Sequence, residues 1–298
     1  MAMTIEVADP RLLALVDESA RPQLLATGFG FVEGPLWNPV EGCLYFSDII
    51  GDTRRRWSER DGASIARQPN HKGNGMTYDS DLALITCEHS TSRVTRISGD
   101  IEVVIASYFK NKELNSPNDV VVSRSGHIYF TDPTFGRTSA DFGVVRDPQL
   151  DFRGVFRITP DGYLELIDDD YNQPNGLCFS PDERFLYVND CRDHRICRYE
   201  MGTDGSVSDR SILVEGVTGF DGMKCDDRGN IYITGPEGTG ILVFDEDGRK
   251  LGTLNVPEKP ANLNWGGPTW SDLYICARTS VYRYSLKVAG APCSYMDA

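Results

Sequence analysis

The chain has no long apolar run, no close pair of cysteines, few histidines and no surplus of positive charge. Each absence excludes something. A membrane-spanning helix needs roughly 18 consecutive apolar residues, and no stretch approaches that, so no membrane partner is expected. The opening MAMTIEVADP has neither a basic nor an apolar leader region, so no secretory signal is read there. Acidic residues number 44 against 30 basic ones, a net charge of −14, which argues against nucleic acid as a partner. The eight cysteines contain no C-x-x-C pair, so a zinc knuckle lacks its spacing; they read as reduced thiols of a cytoplasmic protein. The four histidines include no two at helical ligand spacing. No G-x-S-x-G is present, so a serine nucleophile has no support. No feature of the sequence sets the oligomeric state.

What is present is a phrase that recurs six times: LYFSD (44–48), LITCE (84–88), IYFTD (128–132), LYVND (186–190), IYITG (231–235) and LYICA (273–277). Its second residues, Tyr45, Ile85, Tyr129, Tyr187, Tyr232 and Tyr274, lie 40, 44, 58, 45 and 42 residues apart. Short apolar strands at a period in the low forties predict an all-β fold, a six-bladed β-propeller of four-stranded antiparallel blades. Each period holds a first strand opened by a polar residue, the tyrosine phrase, a third strand such as RVTRI or RICRY, and usually a fourth such as IEVVI or YLELI. Turns such as PDG and EDG mark the hairpins.

The sixth repeat lacks a fourth strand, and RPQLLATGF (21–29) is a spare strand at the other end. The N-terminal strand is therefore expected to close the ring and remove its open edges. A single domain over 1–298 follows. A short helix (DPRLLALVDE, 9–18) and the closing strand fall in 9–29, the blades in 30–287 and a tail in 288–298.

The residues that open the first strands are Glu33, Asn74, Asn118, Asn175, Asp221 and Asn262. Their intervals, 41, 44, 57, 46 and 41, track the blades. First strands of a propeller line its axis, so these side chains should meet at one mouth of the channel. Singly, Asn-Gly and Asp-Gly are common turn dipeptides. Turn formation does not demand an oxygen at the same place in every blade. An oxygen ring with two carboxylates suits one hard divalent cation, Ca²⁺ first, then Mg²⁺ or Mn²⁺, with Zn²⁺ or Fe²⁺ also compatible.

FVEGPLWNPVEGCLYFSDI, LNSPNDVVVSRSGHIYFTDPTFG, QPNGLCFSPDERFLYVND and GFDGMKCDDRGNIYIT resemble the signature segments of the SMP-30/gluconolactonase family, in order and spacing, across about residues 24 to 285. The resemblance implies a six-bladed propeller with one divalent metal and, most commonly, hydrolysis of a small-molecule sugar lactone. By position, Glu33, Asn175 and Asp221 match the family's metal ligands, and Asn118 a residue at the metal or its substrate water. The regucalcin branch has an arginine where Ser116 stands, so NSPND resembles the bacterial gluconolactonase branch. Propellers of the diisopropylfluorophosphatase type carry a second acid where Lys224 stands, which speaks against the alternative of a phosphotriesterase. A further alternative is a non-catalytic calcium-binding propeller.

On the lactonase reading, Asp221 is the general base and Asn118 and Asn74 are candidates to bind substrate. The longest interval reflects an insertion at 132–152, between second and third strands, where a lid would sit. Phe135, Arg137 and Phe142 within it are candidates to contact the sugar. Asp132, Asp48, Glu88 and His89, at second-strand ends, are expected to orient the ligands.

Overall fold

Each of the six phrases forms the second strand of an antiparallel sheet, flanked by a first strand toward the axis and a third strand outward. The computed structural model describes residues 5–236 and 240–296; the remaining parts of the expected domain, 1–4, 237–239 and 297–298, lie outside the described residues. The innermost strands are Val32–Asn38, Gly73–Tyr78, Val120–Val122, Pro174–Phe179, Met223–Cys225 and Pro260–Gly266. They make blades 1 to 6 in chain order. Gln23–Thr27 pairs antiparallel with Ser280–Ser285 and supplies the outer strand of blade 6, so both ends of the chain build one sheet.

Two features differ from expectation. Of the predicted helix 9–18, only a 3₁₀ segment, Pro10–Ala14, forms, with Asp9 capping it by accepting from Arg11 N at 2.9 Å. Just before it, Ile5–Val7 adds a fifth strand to the outer edge of blade 5, against Lys250–Leu254.

The tyrosine phrase recurs because wedge-shaped gaps between blades need filling. Tyr274 of blade 6 stacks on Trp37 of blade 1 at 5.3 Å, Tyr129 meets Phe179 of blade 4 edge-on at 5.6 Å, and Tyr232 meets Trp265 of blade 6 at 5.1 Å. In each case the tyrosine of one blade packs on an aromatic ring near the end of the next blade's innermost strand. Such a pair contributes about 0.5–1.5 kcal/mol beyond its buried area. Tyr129 and Tyr232 satisfy their buried hydroxyls on Gly205 O (2.6 Å) and Asp226 Oδ2 (3.2 Å).

The innermost strands run from one mouth of the channel to the other. The far mouth is plugged by the tail: Ala291 N donates to Cys225 O at 3.0 Å, and Tyr295, buried, packs edge-on to Tyr78 at 5.4 Å. On the axis between the mouths, Lys224 Nζ lies 3.5 Å from Asp119 Oδ2.

Candidate functional site

A cavity of about 390 Å³ opens at the mouth where the innermost strands begin. Glu33, Asn74, Asn118, Asn175 and Asp221 all line it, so five of the six ring residues share one floor. Asn262 contributes from behind, its Nδ2 donating to Glu33 Oε2 at 2.8 Å, while Gly34 N donates to the same oxygen at 2.7 Å.

The glycines beside the ring residues explain this convergence. A Cβ on Gly176 would lie 2.3 Å from Asp221 O, one on Gly222 2.0 Å from Asn262 Oδ1, and one on Gly34 2.1 Å from Asn74 O. In these blades the residue after the ring residue is thus bare because the next blade's ring residue sits on it. Between blades the carbonyl of a ring residue is held by the fourth position of the preceding phrase. Ser47 Oγ donates to Asn74 O (2.9 Å), Thr131 Oγ1 to Asn175 O (2.7 Å) and Asn189 Nδ2 to Asp221 O (2.7 Å), with Cys276 Sγ at 3.7 Å from Glu33 O. This role of the phrase was missed from sequence, although small polar side chains at that position were its signal.

Two buried carboxylates face the same floor. Burial and the charge of Asp221 hold the Glu33 carboxyl well above the usual range. Burial pushes Asp221 up to about 7, against the pull of Lys259 and a hydrogen bond from Asn175. The tension between two buried carboxylates is the kind a cation relieves, and the donor set of two carboxylates and two amides fits a hard divalent ion.

A third acid, Asp119, is a neighbour that sequence reasoning missed. Its charge raises both Glu33 and Asp221. It stands where four of the six repeats have glycine, and Gly75 makes room for it: a Cβ there would lie 2.6 Å from Asp119 Oδ1. Lys224 in place of an acid therefore does not leave Glu33 and Asp221 without a further acidic neighbour. Lys224 ion-pairs with Asp119 below the floor.

His89 and Asn74 form a relay that fixes the amide's orientation. His89 is fully enclosed, and burial pushes it down to about 4, so the ring is neutral at pH 7. Its Nδ1 lies 3.0 Å from Phe142 O, an acceptor only, so Nδ1 carries the proton. Nε2 then accepts from Asn74 Nδ2 at 3.3 Å. Asn74 Oδ1, buried and without a protein partner, is left as an acceptor on the cavity floor.

The insertion folds down over this relay. Phe135 and Phe142 line the cavity, and Phe142 meets Phe31 edge-on at 5.2 Å. Ser116 Oγ receives Gly136 N at 3.0 Å and donates to Pro133 O at 2.6 Å, clamping the insertion to the Asn118 loop. Arg137 does not reach the cavity, which corrects the expectation that it contacts a sugar. It is 2% exposed and donates to Asn115 O (2.8 Å), Asp147 O (3.0 Å) and Glu113 Oε2 (2.7 Å). These bonds tie the segment to the loop before Asn118.

Asp132, Glu88 and Asp48 also stand outside the cavity. Asp132 accepts from Asn115 N at 2.8 Å, Asp48 from Gly30 N at 3.0 Å, and Glu88 holds Arg93 at 2.6 Å. Second strands lie one layer out from the axis. Asp132 and Asp48 therefore brace the loops leading to Asn118 and Glu33 rather than the ring itself, and Glu88 pins the third strand of its own blade. Of the strand-end group, only His89 enters the pocket.

Fold and pocket together define a six-bladed propeller with a small-molecule site at one mouth of its axis. The family model described as SMP-30/Gluconolactonase/LRE-like region matches residues 31–279, and the chain belongs to that family. It is 32% identical to a gluconolactonase of Zymomonas mobilis subsp. mobilis, over 94% of this chain and 85% of that one. It is 29% identical to a pentonolactonase of Haloferax volcanii, covering 82% and 80% of the two chains. The structure of a gluconolactonase from Xanthomonas campestris superposes with a TM-score of 0.88 at 31% identity, covering 95% of each chain.

Proposed function

We propose that the protein hydrolyses a sugar lactone, of the aldonolactone class, to the aldonic acid, with a divalent cation held by Glu33, Asn118, Asn175 and Asp221. The observation that carries this reading is the pair of buried carboxylates, Glu33 and Asp221, set among amide oxygens at the floor of an open cavity. Such a cation, Ca²⁺ first among the hard divalent ions, supplies Lewis-acid polarisation of the lactone carbonyl when bound. Similarity to a gluconolactonase and a pentonolactonase supports an aldonolactone of five or six carbons.

The chain's own groups divide the remaining work. Asp221 accepts a proton from the attacking water, whose oxygen forms the new bond to the carbonyl carbon. The ring C–O bond then breaks, and the ring oxygen leaves as a hydroxyl, taking up that proton. Asn74 Oδ1 accepts a hydrogen bond from a sugar hydroxyl, and Asn118 binds beside it. Phe31, Phe135 and Phe142 offer apolar faces to the C–H side of the sugar. The eight free cysteines support the reducing cytoplasm as its location.

The test is a pH-indicator assay on a panel of aldonolactones. Chelator-stripped protein is supplied in turn with Ca²⁺, Mg²⁺, Mn²⁺, Zn²⁺ and Fe²⁺, beside Asp221→Ala. Turnover restored by a metal and lost in the variant is expected. No rate above spontaneous hydrolysis with any metal would overturn the reading.

A further inference from the structure

The cavity has two unlike walls. Blades 1 to 3 supply Phe31, Ile49, Phe135 and Phe142, while the other side carries Arg192, His194 and Lys259. Arg192 and His194 come from the turn after the second strand of blade 4, and Lys259 from the approach to blade 6. They flank Asp221 of blade 5, and Lys259 is close enough that its charge lowers the Asp221 carboxyl.

Most arginines of this acidic chain are matched to carboxylates; the neighbouring Arg195, for instance, lies 3.4 Å from Asp193 and 3.7 Å from Asp190. Among the described residues, the side chains of Arg192 and Lys259 have no carboxylate within 4.0 Å. His194 Nδ1 is buried without a hydrogen-bond partner. The acids lining the cavity, Glu33 and Asp221, lie on its floor. Arg192 and Lys259, without an ion-pair partner within 4.0 Å at one rim of the site and with Lys259 acting on Asp221 only at longer range, leave donors there for an anion from outside.

We infer that the favoured substrate is an aldonolactone bearing a second, anionic group, a carboxylate or phosphate at the far end of its carbon chain, received by Arg192, His194 and Lys259. The inference rests on the lactonase reading. The floor would take the lactone carbonyl, and the rim the distal anion. Floor carboxylates repel an anion presented the wrong way round, so the charge pattern sets orientation as well as affinity.

The experiment compares glucono-1,5-lactone with 6-phosphoglucono-1,5-lactone and D-glucaro-1,4-lactone, at low and high salt. The proteins are the wild type, Arg192→Gln and the Arg192→Gln/Lys259→Met double variant. The wild type should prefer at least one anionic lactone in kcat/KM by about tenfold at low salt. That preference should fall several-fold or more in the variants and with added KCl. Phosphate and carboxylate arms separate the two kinds of anion. An equal or greater rate on the neutral lactone, or a preference unchanged in the double variant, overturns the inference while leaving the lactonase reading intact.

If no lactone is hydrolysed, the lactonase reading fails, and calorimetry with gluconate and glucarate decides this point separately. Tighter binding of the dianion, lost in the double variant, supports the anion subsite. Equal binding overturns it.

Discussion

The neutral, buried His89 makes the sharpest quantitative prediction. Its ordinary value is 6.5, and in the fold burial pushes it down to about 4. Between those values the unfolded chain holds one proton more than the folded one, so stability is lost as pH falls through that window. At about 1.36 kcal/mol for each pH unit, the loss totals roughly 3 kcal/mol between pH 7 and pH 4. Asp132 and Asp221, each pushed up to about 7, act oppositely, because the folded state holds their protons more tightly. Both remain in His89→Gln, so subtracting the two proteins removes their contribution. The assay is urea denaturation of wild type and His89→Gln in chelator-containing buffer at pH 7, 5.5 and 4. The stability difference between the proteins should move by about 3 kcal/mol in favour of the variant as pH falls. A difference constant to within about 0.5 kcal/mol would refute a neutral His89. With it would go Nε2 as the acceptor of Asn74 Nδ2, and the outward-facing Asn74 Oδ1 deduced from it.

Two further outcomes test how the site is held. Thr131→Val leaves Asn175 O without its blade-to-blade donor and should cost about 1–3 kcal/mol in a denaturant titration; an unchanged midpoint would show that this hydroxyl does not tie blade 3 to blade 4. Arg137→Met strips the buried partner of Glu113 and three backbone carbonyls and should cost about 3–5 kcal/mol, with KM rising as the insertion loosens. A raised KM with full stability would instead restore Arg137 as a sugar contact.

The parts of this molecule that repeat could be read in advance, and the parts that do not repeat could not. Glu33, Asn118, Asn175 and Asp221 reach one floor because a propeller turns equal spacing into convergence. The cavity walls obey no such spacing. Phe31 and Phe220 precede innermost strands, while Ile49, Arg192 and His194 follow second strands, so tertiary position alone gathers them. Arg137 misled because an exposed-looking insertion residue proved to be the insertion's own anchor, its guanidinium spent on carbonyls. Asp132 and Glu88 misled because a strand end near the right mouth still lies one layer from the axis.

Asp119 shows that a departure from a repeat can be more informative than the repeat. In Glu33-Gly34, Asn74-Gly75, Asn175-Gly176 and Asp221-Gly222, glycine follows the ring residue, but in Asn118-Asp119 a carboxylate does. Glycine is required where the next blade's backbone presses against that position, as the 2.3 Å approach at Gly176 and the 2.0 Å approach at Gly222 demonstrate. A side chain can stand there only if the neighbouring blade gives way, and Gly75 does so for Asp119. The same bareness that lets the ring close therefore admits one buried acid beneath it, matched by Lys224 at 3.5 Å. The charge of the axis is then set by the pair as a unit. Lys224 pairs with Asp119, and the two carboxylates above it, Glu33 and Asp221, the latter eased only in part by Lys259, are the charge that a divalent cation would match.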